Sequence, residues 1–144
     1  MSTYQLHIFI SHSWSYSGHY EKLAEWIFET NWSFGQASVN FLDFSVPKSD
    51  PIYNAPTDRA LKDAIYAKIA RSHVVMIPTG MYANYSKWIQ KEIDGSNAYN
   101  KPILGVDPWS QIRTASVVQR AARLTVGWNS KSVAQGIWDL YRGI

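Results

Sequence analysis

Two segments of the chain hold residue types that can do chemistry. The first is Ser11-His12-Ser13-Trp14-Ser15-Tyr16-Ser17-Gly18, a hydroxyl-rich run directly after an apolar stretch. If a helix opens there, its free backbone N–H groups and the surrounding hydroxyls form a cradle for a phosphate. The run has neither G-x-x-x-x-G-K-[ST] nor G-x-G-x-x-G spacing, so nucleotide binding of those two kinds is not supported. It also lacks the acidic residues with which a response-regulator phosphoacceptor holds magnesium. A serine-rich helix cap explains the same residues equally well. The second segment is Ser86-Lys87-Trp88-Ile89-Gln90-Lys91-Glu92. On a helix of about 3.6 residues per turn, Trp88 and Glu92 share a face roughly 6 Å apart along the axis. A carboxylate so placed can hydrogen-bond ribose hydroxyls or stabilise a developing cation, and the indole supplies an apolar wall. A solvated glutamate next to a core tryptophan is the plain alternative.

Other chemistries are excluded or weak. With no cysteine, disulfide scaffolds, thiolate metal sites and thiol catalysis are ruled out. His7, His12, His19 and His73 show neither H-x-x-x-H nor H-E-x-x-H spacing, so no metal is expected. A divalent-metal nuclease on Asp43, Asp50 and Asp107 is the weaker reading, because these acids fall in separate loops. His12 has no nucleophile to serve and reads as a hydrogen-bonding loop residue.

These residues need a scaffold, and 144 residues at 16.4 kDa, 46% hydrophobic and 17% charged, suit one globular domain over 1–144. No basic leader and no apolar run of membrane-spanning length is present, so a soluble, cytoplasmic protein is expected. Residues 1–58 hold two bases against six acids, and residues 59–144 hold 12 bases against five acids. The basic half can attract a phosphate-bearing ligand. Its bases are scattered singly along helical patterns, which argues against nucleic acid as a partner. Seven Trp, nine Tyr and five Phe must be mostly core or half-buried.

Apolar periodicity predicts strict βα alternation. Strands fall at Tyr4 to Ile10, Val39 to Phe44, His73 to Ile77, Pro102 to Val106 and Leu124 to Trp128. Helices fit Tyr20 to Thr30, Asp58 to Arg71, a start near Asn84 or Ser86 through to Ala98 with Gly95 weakening its later part, residues 110–122, and Ser132 to Tyr141. Ser45 to Thr57, with Pro47, Pro51 and Pro56, must be a loop. Alternation of this kind predicts a parallel α/β sheet in three layers with helices on both faces. Ligands of such sheets bind beyond the carboxyl ends of the strands, at Ser11 to Ser17, Ser45 to Thr57, Thr79 to Ser86 and Asp107 to Ser110.

The chain resembles Toll/interleukin receptor (TIR) domains, and more narrowly the short bacterial TIR-like proteins of the Thoeris antiphage system. HIFISHSW, the Pro-rich loop after the second strand, AIYAKIARSHVVMIP and SKWIQKEID carry the likeness in order along nearly the whole chain. The S-x-W-x-x-x-E spacing of Ser86, Trp88 and Glu92 is its most specific part, although Ile89 stands where many TIR domains have cysteine.

The resemblance implies a flavodoxin-like five-stranded parallel sheet of order 2-1-3-4-5 and, in catalytic members, cleavage of the nicotinamide–ribose bond of NAD to an ADP-ribose-derived, sometimes cyclic, signal. NAD is then a substrate and no cofactor is called for. Glu92 becomes the catalytic carboxylate and Trp88 packs against the ribose and nicotinamide. Ser11, His12 and Trp14 are candidates for the diphosphate or adenine end, with Tyr82 and Asp43 lining the site. Nicotinamide is a cationic pyridinium that departs neutral, so no general acid is required and one carboxylate suffices. Family behaviour also implies self-association and a downstream effector that senses the product. The reading of a different class is a non-catalytic scaffold that uses the Pro-rich 45–57 loop for homotypic contacts.

Overall fold

The first strand, β1 (Ser2–Ile10), shows why a sheet forms with two covered faces. Leu6, Ile8 and Ile10 lie buried on one side, and Phe9 lies buried on the other. A computed structural model of the chain describes residues 2–11, 19–45, 58–79, 82–107 and 116–143. Within these, β1 is followed by α1 (His19–Phe28), β2 (Trp32–Phe34), β3 (Ala37–Asp43), α2 (Asp58–Ala70) and β4 (Val74–Pro78). The chain continues through α3 (Tyr82–Ala98), β5 (Ile103–Val106), α4 (Ser116–Ala121), β6 (Leu124–Val126) and α5 (Ser130–Arg142).

The strands stand in the order β2-β3-β1-β4-β5-β6. All neighbours pair in parallel except β2 and β3, which are antiparallel. The five expected strands therefore keep the expected order, and the sheet is corrected from five strands to six, mostly parallel but mixed. The added strand pairs Phe34 with Ala37 across the two-residue turn Gly35–Gln36, and Gly35 has φ +61°. Glycine takes that left-handed conformation at no steric cost. Three residues are too short to show an alternation, which hides β2 in the sequence. Phe34 anchors it by stacking on Trp138 of α5 at 5.5 Å, and the Trp32 indole donates to the Trp26 carbonyl at 3.1 Å.

Each face of the sheet has its own core. Leu23 and Ile27 of α1, with Val133, Ala134, Ile137, Trp138 and Leu140 of α5, cover Leu6, Ile8, Val39, Phe41, Met76 and Leu104. On the other face Leu61, Ile65 and Ile69 of α2, Ile89 and Ile93 of α3 and Val118 of α4 cover Phe9, Val75, Ile77 and Ile103. One helix starts earlier than expected, and two expected segments lie partly outside the described residues. Helix α3 begins at Tyr82, so Asn84 and Ser86 lie inside it and not at its cap. Helix α4 spans Ser116–Ala121 of the expected 110–122, and residues 110–115 lie outside the described residues. Most of the Pro-rich loop, 46–57, also lies outside them. Among the described residues no helix is long and apolar enough to cross a membrane.

His7 and His73 link β1 to the start of β4. The His7 amide donates to His73 Nδ1 at 2.8 Å, and the His73 amide donates to the His7 carbonyl at 2.7 Å. Burial, and then the nearby His7 and Lys101, hold the His73 imidazole below its ordinary value. Protonation at Nδ1 would also remove the acceptor for the His7 amide. Between the folded-state value and about 6.5 the unfolded chain binds more protons at this site, so stability falls as pH drops below about 6.5. Urea denaturation at pH 7 and pH 5 should show this loss, and His73→Asn should flatten the decline. An unchanged slope in that variant would remove His73 as the cause.

Candidate active site

The carboxyl ends of the strands form a rim whose neighbours are tied together by short hydrogen bonds. Beyond β3, Ser45 Oγ accepts the Ile10 amide at 2.8 Å. Beyond β1, the Ser11 amide donates to the Met76 carbonyl at 2.8 Å, which extends the ladder to β4 by one residue. Beyond β4, the Thr79 amide donates to the Val106 carbonyl at 3.1 Å, while the Thr79 hydroxyl donates to Asp107 Oδ1. The Asp107 amide in turn donates to the Val126 carbonyl at 2.9 Å.

Onto this rim α3 brings Glu92. Ile89 and Ile93 are buried in the core of that face, which fixes the rotation of the helix and turns Glu92 inward. Strand alternation places Ser11 on the same face as Phe9, and its hydroxyl donates to Glu92 Oε1 at 2.6 Å. Both residues are 0% exposed. One turn further on, the buried Ser96 hydroxyl donates to the Glu92 carbonyl at 2.7 Å. Trp88, four residues before Glu92, is half-buried and packs against the same core. Glu92 is thus an inward-facing carboxyl group held by a hydroxyl, the kind of partner that a buried polar group requires.

Gly95 lets α3 lie this close to α2. A Cβ there would stand 2.9 Å from Tyr66 Cδ1 and 3.1 Å from Ile69 Cδ1. Its weak helix propensity is offset by close packing. Gly95→Ala should therefore gain about 1 kcal/mol of helix propensity and lose more to crowding, for a net destabilisation of about 1 kcal/mol by urea denaturation. A stabilised variant would show that the approach of the two helices is not limiting.

The remaining candidates divide between the two faces. Asp43 lies on the α1 side: the Tyr20 hydroxyl donates to its Oδ2, and the Ser45 amide donates to its Oδ1 at 2.9 Å. The Tyr20 hydroxyl is pushed well above its ordinary value, first by burial, then by its hydrogen bond to Asp43 and by the charges of Asp43 and Glu21. The structure brings Ser11, Trp88 and Glu92 together on the α3 face and leaves Asp43 on the other. Tyr82 is the first residue of α3, while His12 and Trp14 lie outside the described residues. Among the described residues no cluster of three or more His, Asp or Glu could hold a metal ion. Sequence reasoning named Ser45 and Thr79 only as the first residues of rim segments, with no role of their own, and did not single out Ser96 or Tyr20 as site residues. For Ser45 and Thr79 the available signal was a hydroxyl residue immediately beyond a strand.

A wound, mostly parallel sheet with a helix-borne carboxyl group at the rim of its central strands defines a three-layer α/β protein. The match of a family sequence model to residues 9–113 makes this specific: the chain belongs to the Thoeris protein ThsB, TIR-like domain family. That span includes Ser11, Trp88 and Glu92. Among solved structures, the chain resembles the Clostridium botulinum CMP N-glycosidase BcmB at 13% identity and a TM-score of 0.52, over 91% of this chain and 97% of that one. At that identity the likeness is one of fold. A 3-dehydroquinate dehydratase-like protein from Bifidobacterium longum aligns at 10% identity and a TM-score of 0.45, over 99% of this chain and 97% of that one. Comparison with curated proteins found no match.

Proposed function

We propose that this chain is a NAD-cleaving enzyme of antiphage defence, breaking the nicotinamide–ribose bond with Glu92 as its catalytic carboxylate. The observation that carries the reading is Glu92 itself, buried at the rim of β1 and held at 2.6 Å by Ser11, inside the ThsB-matched span. As the bond from C1′ to the pyridinium nitrogen lengthens, its electron pair leaves with nicotinamide, which departs neutral. Positive charge grows on the ribose, and an anion fixed in a low-dielectric site stabilises it without reorganisation. Water then captures C1′ and loses a proton to give ADP-ribose; capture by a nucleophile of the same molecule gives a cyclic product. The fold is compatible with this class of reaction, since BcmB is by its name an N-glycosidase.

Glu92 is closed to solvent in this state, so turnover requires the rim to open. Self-association of TIR-like domains, or a phage-derived trigger, supplies that opening, and a separate effector reads the product. The test is chromatography of NAD incubated with the protein at high concentration, with and without lysate from phage-infected cells. Release of nicotinamide together with an ADP-ribosyl product supports the enzyme. Absence of both in every condition favours the scaffold.

A further inference from the structure

Serine is the smallest side chain that can carry a hydroxyl, and Ser11 sits where its backbone has almost no freedom. Its own amide is tied to the Met76 carbonyl of β4 at 2.8 Å. The preceding amide, that of Ile10, is tied to Ser45 Oγ at 2.8 Å. Ser11 therefore belongs to the sheet, although it stands one residue beyond β1. Glu92 belongs to a helix 81 residues further along the chain, whose seat is fixed by Ile89, Ile93 and the close approach at Gly95. The 2.6 Å hydrogen bond couples the carboxylate directly to the sheet.

Three features separate this hydroxyl from a residue that contacts a diphosphate. Ser11 is held on both sides by the sheet, its own amide bonded to the Met76 carbonyl and the preceding amide to Ser45 Oγ, so it cannot swing toward a ligand as a loop hydroxyl can. It donates to a carboxyl oxygen of Glu92, so its one proton is already committed. The distance falls in the range of short, charge-assisted O–H···O⁻ bonds, which fix geometry more strongly than neutral ones. A glutamate side chain has three rotatable bonds, and a misplacement of about 1 Å in a reacting group can cost on the order of 10²-fold in rate. A rigid donor built on the sheet removes that freedom.

We infer that Ser11 is the positioning residue of the site: it sets the direction from which the Glu92 carboxylate meets the ribose, and it does not bind the diphosphate. The inference rests on the NAD-cleaving reading and changes the role of Ser11 within it. Removing a positioning hydroxyl lowers kcat and leaves KM almost unchanged, because the lost interaction orients the carboxylate for the transition state. Removing a diphosphate contact raises KM.

The experiment uses the full chain. Ser11→Ala and Ser11→Thr are compared with the native protein for nicotinamide release from NAD, with thermal unfolding confirming that each variant is folded at the assay temperature. Ser11→Ala is expected to lower kcat about 10²-fold with KM within about twofold, and Ser11→Thr, which keeps the hydroxyl, to recover most of the rate. A rise in KM at unchanged kcat, or a Thr variant as slow as the Ala variant though equally well folded, overturns the assignment. A second readout needs no turnover. A buried hydroxyl in a short bond to a carboxylate should give a slowly exchanging proton by NMR, present in the native protein, absent in Ser11→Ala and shifted in Glu92→Gln. If that proton is seen while NAD is never cleaved, the functional reading fails and the Ser11–Glu92 coupling stands. If NAD is cleaved and the proton is missing, the coupling fails and the functional reading stands.

Discussion

Glu92→Gln is expected to lower nicotinamide release by on the order of 10³-fold or more while leaving the protein at least as stable as the native chain. The two halves of this result come from one physical cause. Glutamine keeps the shape of glutamate and keeps an oxygen that can accept the Ser11 hydroxyl, so the bond that now measures 2.6 Å has a neutral counterpart. The Ser96 hydroxyl bonds the backbone carbonyl of residue 92 and is indifferent to the change. The charge is removed, and one acceptor oxygen becomes an NH2 donor. A carboxylate that is 0% exposed pays a desolvation cost that a neutral amide does not, so thermal unfolding should move upward or stay level. The transition state, by contrast, loses the anion that offsets the growing charge on the ribose. Chromatographic rates with denaturation midpoints measured on the same samples check both halves. A variant retaining more than a tenth of native activity would show that the chemistry lies elsewhere, and a variant that unfolds at assay temperature would show Glu92 to be structural.

How much of this was legible in the sequence depended on whether the signal was local. The apolar alternation of Leu6, Ile8 and Ile10 and the run Val74 to Ile77 announce central parallel strands, because burial on both faces leaves no room for polar side chains. The spacing of Trp88 and Glu92 places both on one helical face before any coordinate is known. Its outcome differs by residue: Trp88 is half-buried against the core, and Glu92 is turned fully inward. Periodicity could not choose between a solvated and a buried glutamate. That choice is made by Ile89 and Ile93, which orient the helix, and by Ser11, which is distant in sequence. Asp43 shows the same limit from the other side. Its position beyond the centre of β3 suggested the rim, but strand alternation turns it toward α1, where Tyr20 and the Ser45 amide take its oxygens. Strand β2 was missed because its evidence is tertiary: the stacking of Phe34 on a tryptophan of the last helix.

Phe9→Ala should be the most damaging single truncation near the site, costing about 3–5 kcal/mol. Phe9 is 0% exposed, pairs with Val75 across the β1–β4 ladder, and lies in the core that joins α2, α3 and α4 to the sheet. Alanine would leave a void in that core, whose other members include the branched side chains Ile65, Ile69 and Ile89. Such side chains have few alternative rotamers with which to fill it. Because folded domains are stable by only about 5–15 kcal/mol in total, a loss of this size removes a large part of the margin. The position gives the result a second use. Phe9 stands two residues before Ser11 on the same face of β1, so the void opens on the side of the sheet that carries the Ser11–Glu92 hydrogen bond. Urea denaturation should show a lower midpoint with an unchanged slope. The slowly exchanging Ser11 hydroxyl proton should exchange faster, since the core that excludes water on that face has been hollowed. A loss under about 1 kcal/mol would mean that α3 collapses onto β1 to fill the space, and Glu92 would then shift with it.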